Sequence, residues 1–423
     1  MDREAVNYVL EDTRLSTLQR KLVKETDESV AIAIALHINE CLLYPENASY
    51  VSRSSDLIQD AVMEVVRSQE HSWNVKVLCG TALGRLGSLH TNYTSWITWV
   101  WRQIEAAANK ERLQTVCMAA LEESIVKGGG NREGVMKLLE TSKAKLEETT
   151  SELLMLALLD IMGATAKHWG QCFKTIFTEV VDIVVGWFME SVNMPDVRHK
   201  TGRAIIDWGV FWQGEMEFAV EQVGYFMEDL VLATRVATDE GNIELEDLED
   251  TEEGSKQIEQ FVYKWHSESC TREERGAASN QALGFLQMID CVLSGIASGP
   301  VQPGTWSLAI PLPKIGVWFE VIARVGQSVL QWRWREDVAM SWLNCLVTSY
   351  RLAERNKVAR LEERQAILME CVGSIGLRGL RMTWVGQKLL FDTIQLLVSS
   401  PWLSPEHVRP LVQIVLGERG LLP

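Results

Sequence analysis

The chain has 423 residues, which is too long for one ordinary hydrophobic core, so we expect several domains or a repeat array. Hydrophobic residues make up 47% and charged residues 23% of the chain, a composition typical of globular rather than disordered proteins. The formal net charge of −16 argues against a general nucleic-acid-binding protein, because neutralising phosphates needs a dominant basic surface.

Helical spacing of apolar residues runs through the chain from its N-terminal part onward. The segment SSDLIQDAVMEVVRS (54–68) places its apolar residues on one stripe, and Ser54 or Ser55 is a suitable N-cap. The segment SELLMLALLDIMGATA (151–166) is apolar almost all round, as expected for a helix buried on both sides. Breaks such as KGGGNREG (127–134) separate the helices, and we predict a helix–helix turn at Gly128–Gly130.

This succession of short helices predicts the fold class. We expect an all-α protein, an irregular HEAT-like α-solenoid in which antiparallel helix pairs form a right-handed superhelix. At about 40–47 residues per repeat, the chain would hold on the order of nine or ten helix pairs. The glycines in GTALGRLG (Gly80, Gly84, Gly87) have helical spacing, so they predict close helix approach rather than a phosphate-binding loop. Tryptophans in these patterns predict packing between repeats.

Two segments interrupt the helical pattern and set the predicted domain boundaries. The run DEGNIELEDLEDTEEG, from Asp239 to Gly254, carries many carboxylates and no Lys or Arg, so it repels itself and predicts disorder. The segment SGPVQPGTWSLAIPLPK is rich in proline and predicts a non-helical connection. We therefore expect a helical arm at 1–238, a disordered acidic insertion at 239–255, helices at 256–298, a Pro-rich connection at 299–311 and further repeats at 312–423.

Sequence motifs of catalysis, cofactor binding and metal binding are absent. There is no GxxxxGK[ST], GxSxG or protein-kinase motif, and none of the seven His residues belongs to an HExxH. His266 and Cys270 are four residues apart on a possible helix face, but two ligands are too few for a zinc site. We therefore predict no cofactor, no metal and no enzymatic activity within these residues. The eight cysteines are widely spaced, which predicts reduced thiols in an intracellular protein.

A basic and aromatic surface near residues 332–364 is the best candidate binding site in the sequence. Its residues are Trp332, Arg333, Arg335, Arg351, Arg355, Arg360 and Arg364. Such a face is suited to binding a protein partner or an RNA strand. The alternative function is therefore nucleic-acid binding by a helical-repeat protein. The simpler interpretation is a solvated helix face whose cations are balanced by Glu354, Glu362 and Glu363 through pairs three or four residues apart.

The apolar stretch VVDIVVGWFMESVNMP (180–195) raises the question of a membrane segment. A spanning helix needs about 20 predominantly apolar residues, but Asp182 and Glu190 interrupt this one. We therefore expect no membrane contact and predict a packed helix in which Gly186 allows close approach of a neighbour. The predicted location is the cytoplasm, with the nucleus left open as a second location.

Together with the residues that follow it, this stretch resembles a known protein family. With GRAIIDWGVFWQGEMEFAVEQVGYFMEDL it resembles the N-terminal helical region of the SMG-family kinase of nonsense-mediated mRNA decay, a phosphatidylinositol 3-kinase-related kinase. The residues that carry this resemblance are Asp182, Ile183, Val185, Gly186, Trp187, Pro195, Phe211, Trp212, Phe226, Glu228 and Asp229. The segments EDTRLSTLQRKLVKETD (11–27) and ECLLYPENASYVSRSSDLIQDAVMEVV (40–66) resemble the first repeat of the same family.

The resemblance implies a function that the residues alone do not. The family phosphorylates Ser/Thr-Gln sites on an RNA helicase, its kinase domain lies far C-terminal of such a solenoid, and its regulatory subunits dock on the helical arm. Nothing in this sequence matches the kinase domain. We therefore predict a noncatalytic scaffold arm whose partners are the regulatory subunits and, indirectly, the helicase substrate. The negative net charge disfavours direct contact with nucleic acid.

Overall fold

The computed structural model describes residues 15–43, 48–107, 110–234, 248–263, 272–298, 312, 314–332, 334–376 and 382–398, and every regular element within them is helical. The chain divides into two compact units, Met1–Ala204 and Ile205–Pro423. The helices that begin before the division are α1 (Leu15–Lys24), α2 (Glu28–Cys41), α3 (Ala48–Arg67), α4 (Trp73–Ser88), α5 (Tyr93–Ala106), α6 (Glu111–Val126), α7 (Arg132–Glu148), α8 (Glu152–His168), α9 (Gly170–Lys174), α10 (Phe177–Glu190) and α11 (Pro195–Asp207). Those that follow are α12 (Gly209–Gly214), α13 (Met216–Thr234), α14 (Glu252–Tyr263), α15 (Arg272–Ser298), α16 (Ile315–Trp332), α17 (Glu336–Arg355), α18 (Leu361–Gly376) and α19 (Trp384–Val398).

The first unit is built from helix pairs that stack in two rows. Consecutive helices pack in pairs, α1 with α2, α3 with α4, α5 with α6 and α7 with α8. The second members form one row, in which α2, α4, α6 and α8 each contact the next. The first members lie on the other side, where α1 contacts α3 and α5 contacts α7. This arrangement confirms the predicted all-α solenoid, in which each pair buries its apolar face against its neighbours.

The second unit repeats the same two-row arrangement. One row contains α13, α15, α17 and α19, each in contact with the next, and the other contains α14, α16 and α18. The helices α16 and α17 also pack directly against each other, as do α18 and α19.

Polar contacts between successive pairs reveal the length of the repeat. In the first unit, several side-chain contacts join residues 36 to 41 positions apart: Asn39 with Leu78, Arg85 with Glu123, Lys143 with Glu179, and Trp187 with Leu146. Such contacts join corresponding positions of neighbouring repeats, so their separation gives a repeat near the lower end of the HEAT range. Between α15 and α17 the separation rises to 54–58 residues, because α15 alone has 27 residues. The solenoid is therefore irregular, as predicted.

The glycines of α4 allow close contact with α6, as the sequence predicted. A Cβ atom added at Gly80 would lie 2.8 Å from Cγ1 of Val116. One added at Gly84 would lie 2.6 Å from the carbonyl oxygen of Ala120. Real Cβ atoms do not approach so closely, so the helix contact requires glycine at Gly84, and a Cβ at Gly80 would have to displace the side chain of Val116.

Gly128–Gly130 form the predicted turn between α6 and α7. The N–H of Gly129 donates to Ser124 O at 2.9 Å, and the N–H of Gly128 donates to Ile125 O at 3.0 Å. Gly128 has a φ of 78°, the left-handed conformation that this Schellman ending requires. The turn prediction is therefore confirmed, and the physical reason is helix capping rather than phosphate binding.

The end of α17 has the same hydrogen bonds but a lysine in the left-handed position. The N–H of Val358 donates to Ala353 O at 3.2 Å, and that of Lys357, whose φ is 50°, donates to Glu354 O. We predict that Lys357→Gly raises the free energy of unfolding by about 0.5–1 kcal/mol, because glycine adopts this conformation without a Cβ clash. Urea unfolding followed by circular dichroism measures the change. Lys357→Ala keeps the Cβ and is the control, and equal stability of the two variants would contradict the explanation.

Large aromatic side chains fill the interiors of both units. Trp96 is buried in the first unit, and Trp208, Trp212 and Trp342 are buried in the second. The indole N–H of Trp342 donates to Ile322 O at 2.8 Å, so this buried donor is satisfied. The predicted role of these tryptophans in packing is confirmed.

Two details of the sequence prediction are wrong. The helix α3 begins at Ala48, so Ser54 and Ser55 lie inside it and do not cap it. A Cβ atom at Gly186 would meet nothing within 4 Å, so Gly186 is not a point of close helix approach. The helix α10 instead packs through larger side chains, among them Val184 and Phe188.

The acidic insertion requires a partial correction. Residues 239–247 and the Pro-rich connection at 299–311 lie outside the described residues. Residues 248–255, predicted to be disordered, are structured: Leu248 is buried, and α14 begins at Glu252. Lys314 donates to Leu248 O at 2.9 Å, and Arg364 pairs with Asp250, so cations from elsewhere in this unit stabilise this part of the run.

Candidate interaction surfaces

The predicted basic surface falls on α16, α17 and α18 of the second unit. Trp332 is the last residue of α16, and Arg333 lies outside the described residues. Arg335 is the N-cap residue of α17, which also carries Arg351 and Arg355. Arg360 precedes α18, and Arg364 lies in its first turn.

Arg364 is fully buried, although the sequence prediction placed it on a surface. Its guanidinium pairs with Asp250 and lies 3.7 Å from a carboxylate oxygen of Glu320, which is itself largely buried. It also donates to the carbonyl oxygen of Ala359. A buried cation held by carboxylates belongs to the structure of the unit, so Arg364 does not reach an external ligand.

Arg360 is engaged at the edge of the same cluster. It pairs with Glu363, three residues on, and its Nη1 donates to the Ser255 hydroxyl at 2.9 Å. The hydrogen bond from Arg360 lowers the pKa of Glu363 and the same bond raises the pKa of Arg360. This pair fits the interpretation of a charge-balanced helix face.

The other described cations of the predicted surface differ in their partners. Arg335 pairs with Asp337, and Arg355 donates to Ala297 O at 2.9 Å. Arg351 is exposed and makes no hydrogen bond or ion pair with the described part of the chain. The structure therefore brings the arginines to neighbouring helices, but it does not leave them together as a continuous basic face.

A groove in the first unit is a second candidate surface. It has a volume of about 740 Å³ and is lined by residues of α1, α3 and α5 and of the turn after α3. We call it the α3–α5 groove. Its polar and aromatic lining includes Asp60, Glu64, Glu70, His71 and Trp99. The sequence analysis had not singled out this site, although the polar positions of α3 opposite its apolar stripe were a signal for Asp60 and Glu64.

The described residues contain no candidate metal site and one helical segment apolar enough to cross a membrane. No group of three or more His, Cys, Asp or Glu in those residues could hold a metal ion. The predicted pair His266 and Cys270 lies outside them. One described helical segment, Gly276–Ser298, is long and apolar enough to cross a membrane, and half of its most apolar window is buried in the protein. A buried core helix passes the same test, so this is weak evidence for a membrane span.

The buried cysteines are poorly suited to nucleophilic chemistry. Burial raises the pKa of Cys79 and of Cys117 to about 12. We predict that iodoacetamide at pH 8 leaves both thiols unmodified in the folded chain, since only about one in ten thousand is ionised. Mass spectrometry of the labelled peptides measures this, and both cysteines should react fully in denaturant. Partly exposed Cys291 is the native comparison, and labelling of Cys79 at the rate of Cys291 would contradict the prediction.

Sequence comparison identifies distant relatives. The chain is similar to the serine/threonine-protein kinase SMG1 of Danio rerio, with 21% identity over 234 residues, or 52% of this chain and 6% of the kinase. It is also similar to Smg1 of Drosophila melanogaster, with 22% identity over 223 residues, or 52% of this chain and 7% of the kinase. No protein-family model matches the sequence. The predicted resemblance is confirmed as a distant one: the chain contains an SMG1-like helical region and aligns with a small part of either kinase.

Two solved structures match most of this chain, each with low identity and a low TM-score. Yeast importin-beta is 12% identical, with a TM-score of 0.40 over 96% of this chain and 57% of that chain. The N-terminus of TSC2 is 11% identical, with a TM-score of 0.34 over 95% of this chain and 99% of that chain. With TM-scores this low, the fold assignment rests on the two-row stacking of the chain's own helices.

Proposed function

We propose that the chain is a noncatalytic helical scaffold arm like that of SMG1 kinases. In this proposal it binds regulatory subunits and helps to position the RNA helicase substrate for Ser/Thr-Gln phosphorylation. The observation that carries it is the stacking of helix pairs in both units, in a chain whose sequence is similar to SMG1 kinases over about half its length. Stacked repeats present extended surfaces that suit protein partners.

The charge distribution supports protein partners over nucleic acid. The chain carries a net charge of −16, and several arginines of the predicted basic surface are held by the protein's own carboxylates. An RNA-binding surface needs cations that are available to phosphates. Among the described arginines of that surface, Arg355 donates to the carbonyl oxygen of Ala297, and Arg351 has no internal partner.

A capture experiment tests the proposed function. The purified chain is immobilised, and purified regulatory subunits of an SMG kinase complex are passed over it. We expect specific retention of the subunits by the folded chain. Circular dichroism on the same preparation establishes that it is helical, and no retention by a folded chain would contradict the proposed partners.

A titration with single-stranded RNA tests the alternative function. We predict no steeply salt-dependent binding, because the net charge is negative and most described arginines of the surface have internal partners. Fluorescence anisotropy of a labelled oligonucleotide at two salt concentrations measures it. A salt-dependent affinity that is lost in Arg351→Glu/Arg355→Glu would favour the nucleic-acid-binding protein instead.

A further inference from the structure

Asp290 places a carboxyl group in the contact between α15 and α17, and it has no counterion among the described residues. It lies on α15 and is only partly exposed. The hydroxyl of Thr348, on the facing helix α17, donates to its Oδ1 at 2.8 Å, and the hydroxyl of Ser294, one turn along α15, donates to the same oxygen at 3.4 Å. The largely buried Glu320 of the same unit, by contrast, lies within 4 Å of two arginines.

The contact that contains Asp290 joins two successive helices of the row α13, α15, α17 and α19. Three further side-chain hydrogen bonds cross from this part of the chain to α17 or its N-cap: Gln287 with Ser341, Asn280 with Arg335, and Ala297 with Arg355. Amide, hydroxyl and guanidinium groups keep the same charge between pH 5 and 7.5. Among these four bonds, therefore, only the one made by Asp290 involves a group that titrates as an acid.

The charged residues near this contact do not shift the pKa of Asp290. The other charged residues of α15 lie in its first turn, and α12, which packs against α15, has none. On the other helices packed against α15 the charged residues are Glu217, Glu221, Glu228 and Asp229 (α13), Glu320 and Arg324 (α16), and Arg335, Glu336, Asp337, Arg351, Glu354 and Arg355 (α17 and its N-cap). Burial raises the pKa of Asp290, and the hydrogen bonds from Thr348 and Ser294 offset part of the rise.

Two thiols are the remaining titratable neighbours. Cys291 follows Asp290 on α15, and Cys345 is buried on α17. Burial and the charge of Asp290 hold the pKa of Cys345 well above its ordinary value, so this thiol stays protonated at neutral pH. The ordinary pKa of a thiol is about 8.5, so a measurement that ends at pH 7.5 leaves an ordinary thiol largely protonated as well.

The raised pKa determines the direction in which pH acts on this contact. An unfolded aspartate has a pKa of about 3.9, so above this pH the folded state binds more protons than the unfolded state. Stability therefore falls as the pH rises. The contribution is fully present below the unfolded pKa and is lost as the pH passes through the folded one.

We propose that Asp290 is a pH-sensitive element of the second unit, which loosens the contact between α15 and α17 when it loses its proton. The protonated carboxyl is neutral and is easily held between the two helices. The deprotonated carboxylate leaves a charge there with two hydroxyl donors and no cation, and a buried charge without a counterion is unfavourable. The inference concerns the second unit alone and is independent of the proposed scaffold function.

Hydrogen exchange of the full chain between pH 5 and 7.5, read by mass spectrometry, tests the inference. Protection factors are calculated against the exchange of the unfolded sequence at each pH, which removes the chemical effect of pH. The variant Asp290→Asn keeps the shape and the oxygen that Thr348 bonds but cannot ionise. The control Asp392→Asn makes the same substitution at an exposed position of α19.

We expect the protection of α15 and α17 in Asp290→Asn, divided by that in the wild type, to increase as the pH rises. In α4 and α6 of the first unit, and in Asp392→Asn throughout, this ratio should not change with pH. Thr348→Val should lower the protection of α15 and α17 more at pH 7.5 than at pH 5, because the charged carboxylate loses a donor. In the Asp290→Asn background, this pH dependence of the Thr348→Val effect should disappear.

A ratio for α15 and α17 that is the same at pH 5 and 7.5 would overturn the inference. An equal trend in α4 and α6 would overturn it as well, because it would show a general effect of charge. The wild-type chain alone provides a second test: protection of α15 and α17 should fall relative to that of α4 and α6 as the pH rises. A constant relation between the two sets of helices would contradict the proposed element even if Asp290→Asn did not fold.

Discussion

Replacing Arg364 with Met is expected to lower the free energy of unfolding of the second unit by about 3–5 kcal/mol. Arg364 is fully buried and pairs with Asp250, and its guanidinium lies 3.7 Å from the largely buried Glu320. Removal of the cation would leave Asp250 without its counterion, and the largely buried Glu320 would keep only Arg360, whose Nη1 lies 3.9 Å from it. Urea unfolding measures the loss, and hydrogen exchange in α14 and α18 locates it.

Two further variants make this result specific to the ion pair. Arg351→Met removes an exposed arginine from the neighbouring helix α17 and should change the stability by less than about 0.5 kcal/mol. The double variant Arg364→Met/Asp250→Asn should be more stable than the sum of the two single effects predicts, because the unpaired carboxylate is gone. A stability of Arg364→Met equal to that of Arg351→Met would show that the buried cluster does not stabilise the unit.

Replacing Gly84 with Ala is expected to destabilise the first unit by about 2–3 kcal/mol. The new Cβ atom would lie 2.6 Å from Ala120 O and 2.7 Å from the Cβ of Glu123. Neither a backbone oxygen nor a Cβ can move aside by changing rotamer, so α4 and α6 must separate. This cost exceeds the gain of about 1 kcal/mol that alanine brings to a helix interior.

Gly186→Ala is the matched control for this prediction. Gly186 also lies inside a helix, but a Cβ there would meet nothing within 4 Å. The same substitution should therefore stabilise the unit by about 0.5–1 kcal/mol, the opposite sign. Thermal or urea unfolding of both variants measures the difference, and stabilisation by Gly84→Ala would contradict the close helix contact.

Local spacing rules were sufficient to predict the helices and their stacking. The apolar stripe of α3 identified buried positions such as Ile58 and Val62, although Leu57 on the same stripe is 66% exposed. The glycines of α4 indicated a close contact because small residues at helical spacing leave room for a neighbouring backbone. The start of α3 was placed too late because a serine that suits an N-cap also occurs inside helices.

Charge pairing could not be predicted from local sequence. Arg364 and Asp250 are 114 residues apart, so no spacing rule connects them, and only the fold buries the arginine beside that carboxylate. Residues 248–255 looked disordered because the run contains no cation of its own, but Leu248 is buried and α14 begins at Glu252. The α3–α5 groove was missed for a similar reason, since it combines Glu64, His71 and Trp99 from different segments.

A competition assay tests the central claim, that this chain serves as an SMG1-like arm, most directly. Regulatory subunits are immobilised with SMG1 kinase bound to them, and increasing concentrations of the purified chain are added. The scaffold function predicts that the folded chain displaces the kinase in a concentration-dependent manner, because both proteins use the same surface of the subunits. Full retention of SMG1 at a saturating concentration of the folded chain would contradict it.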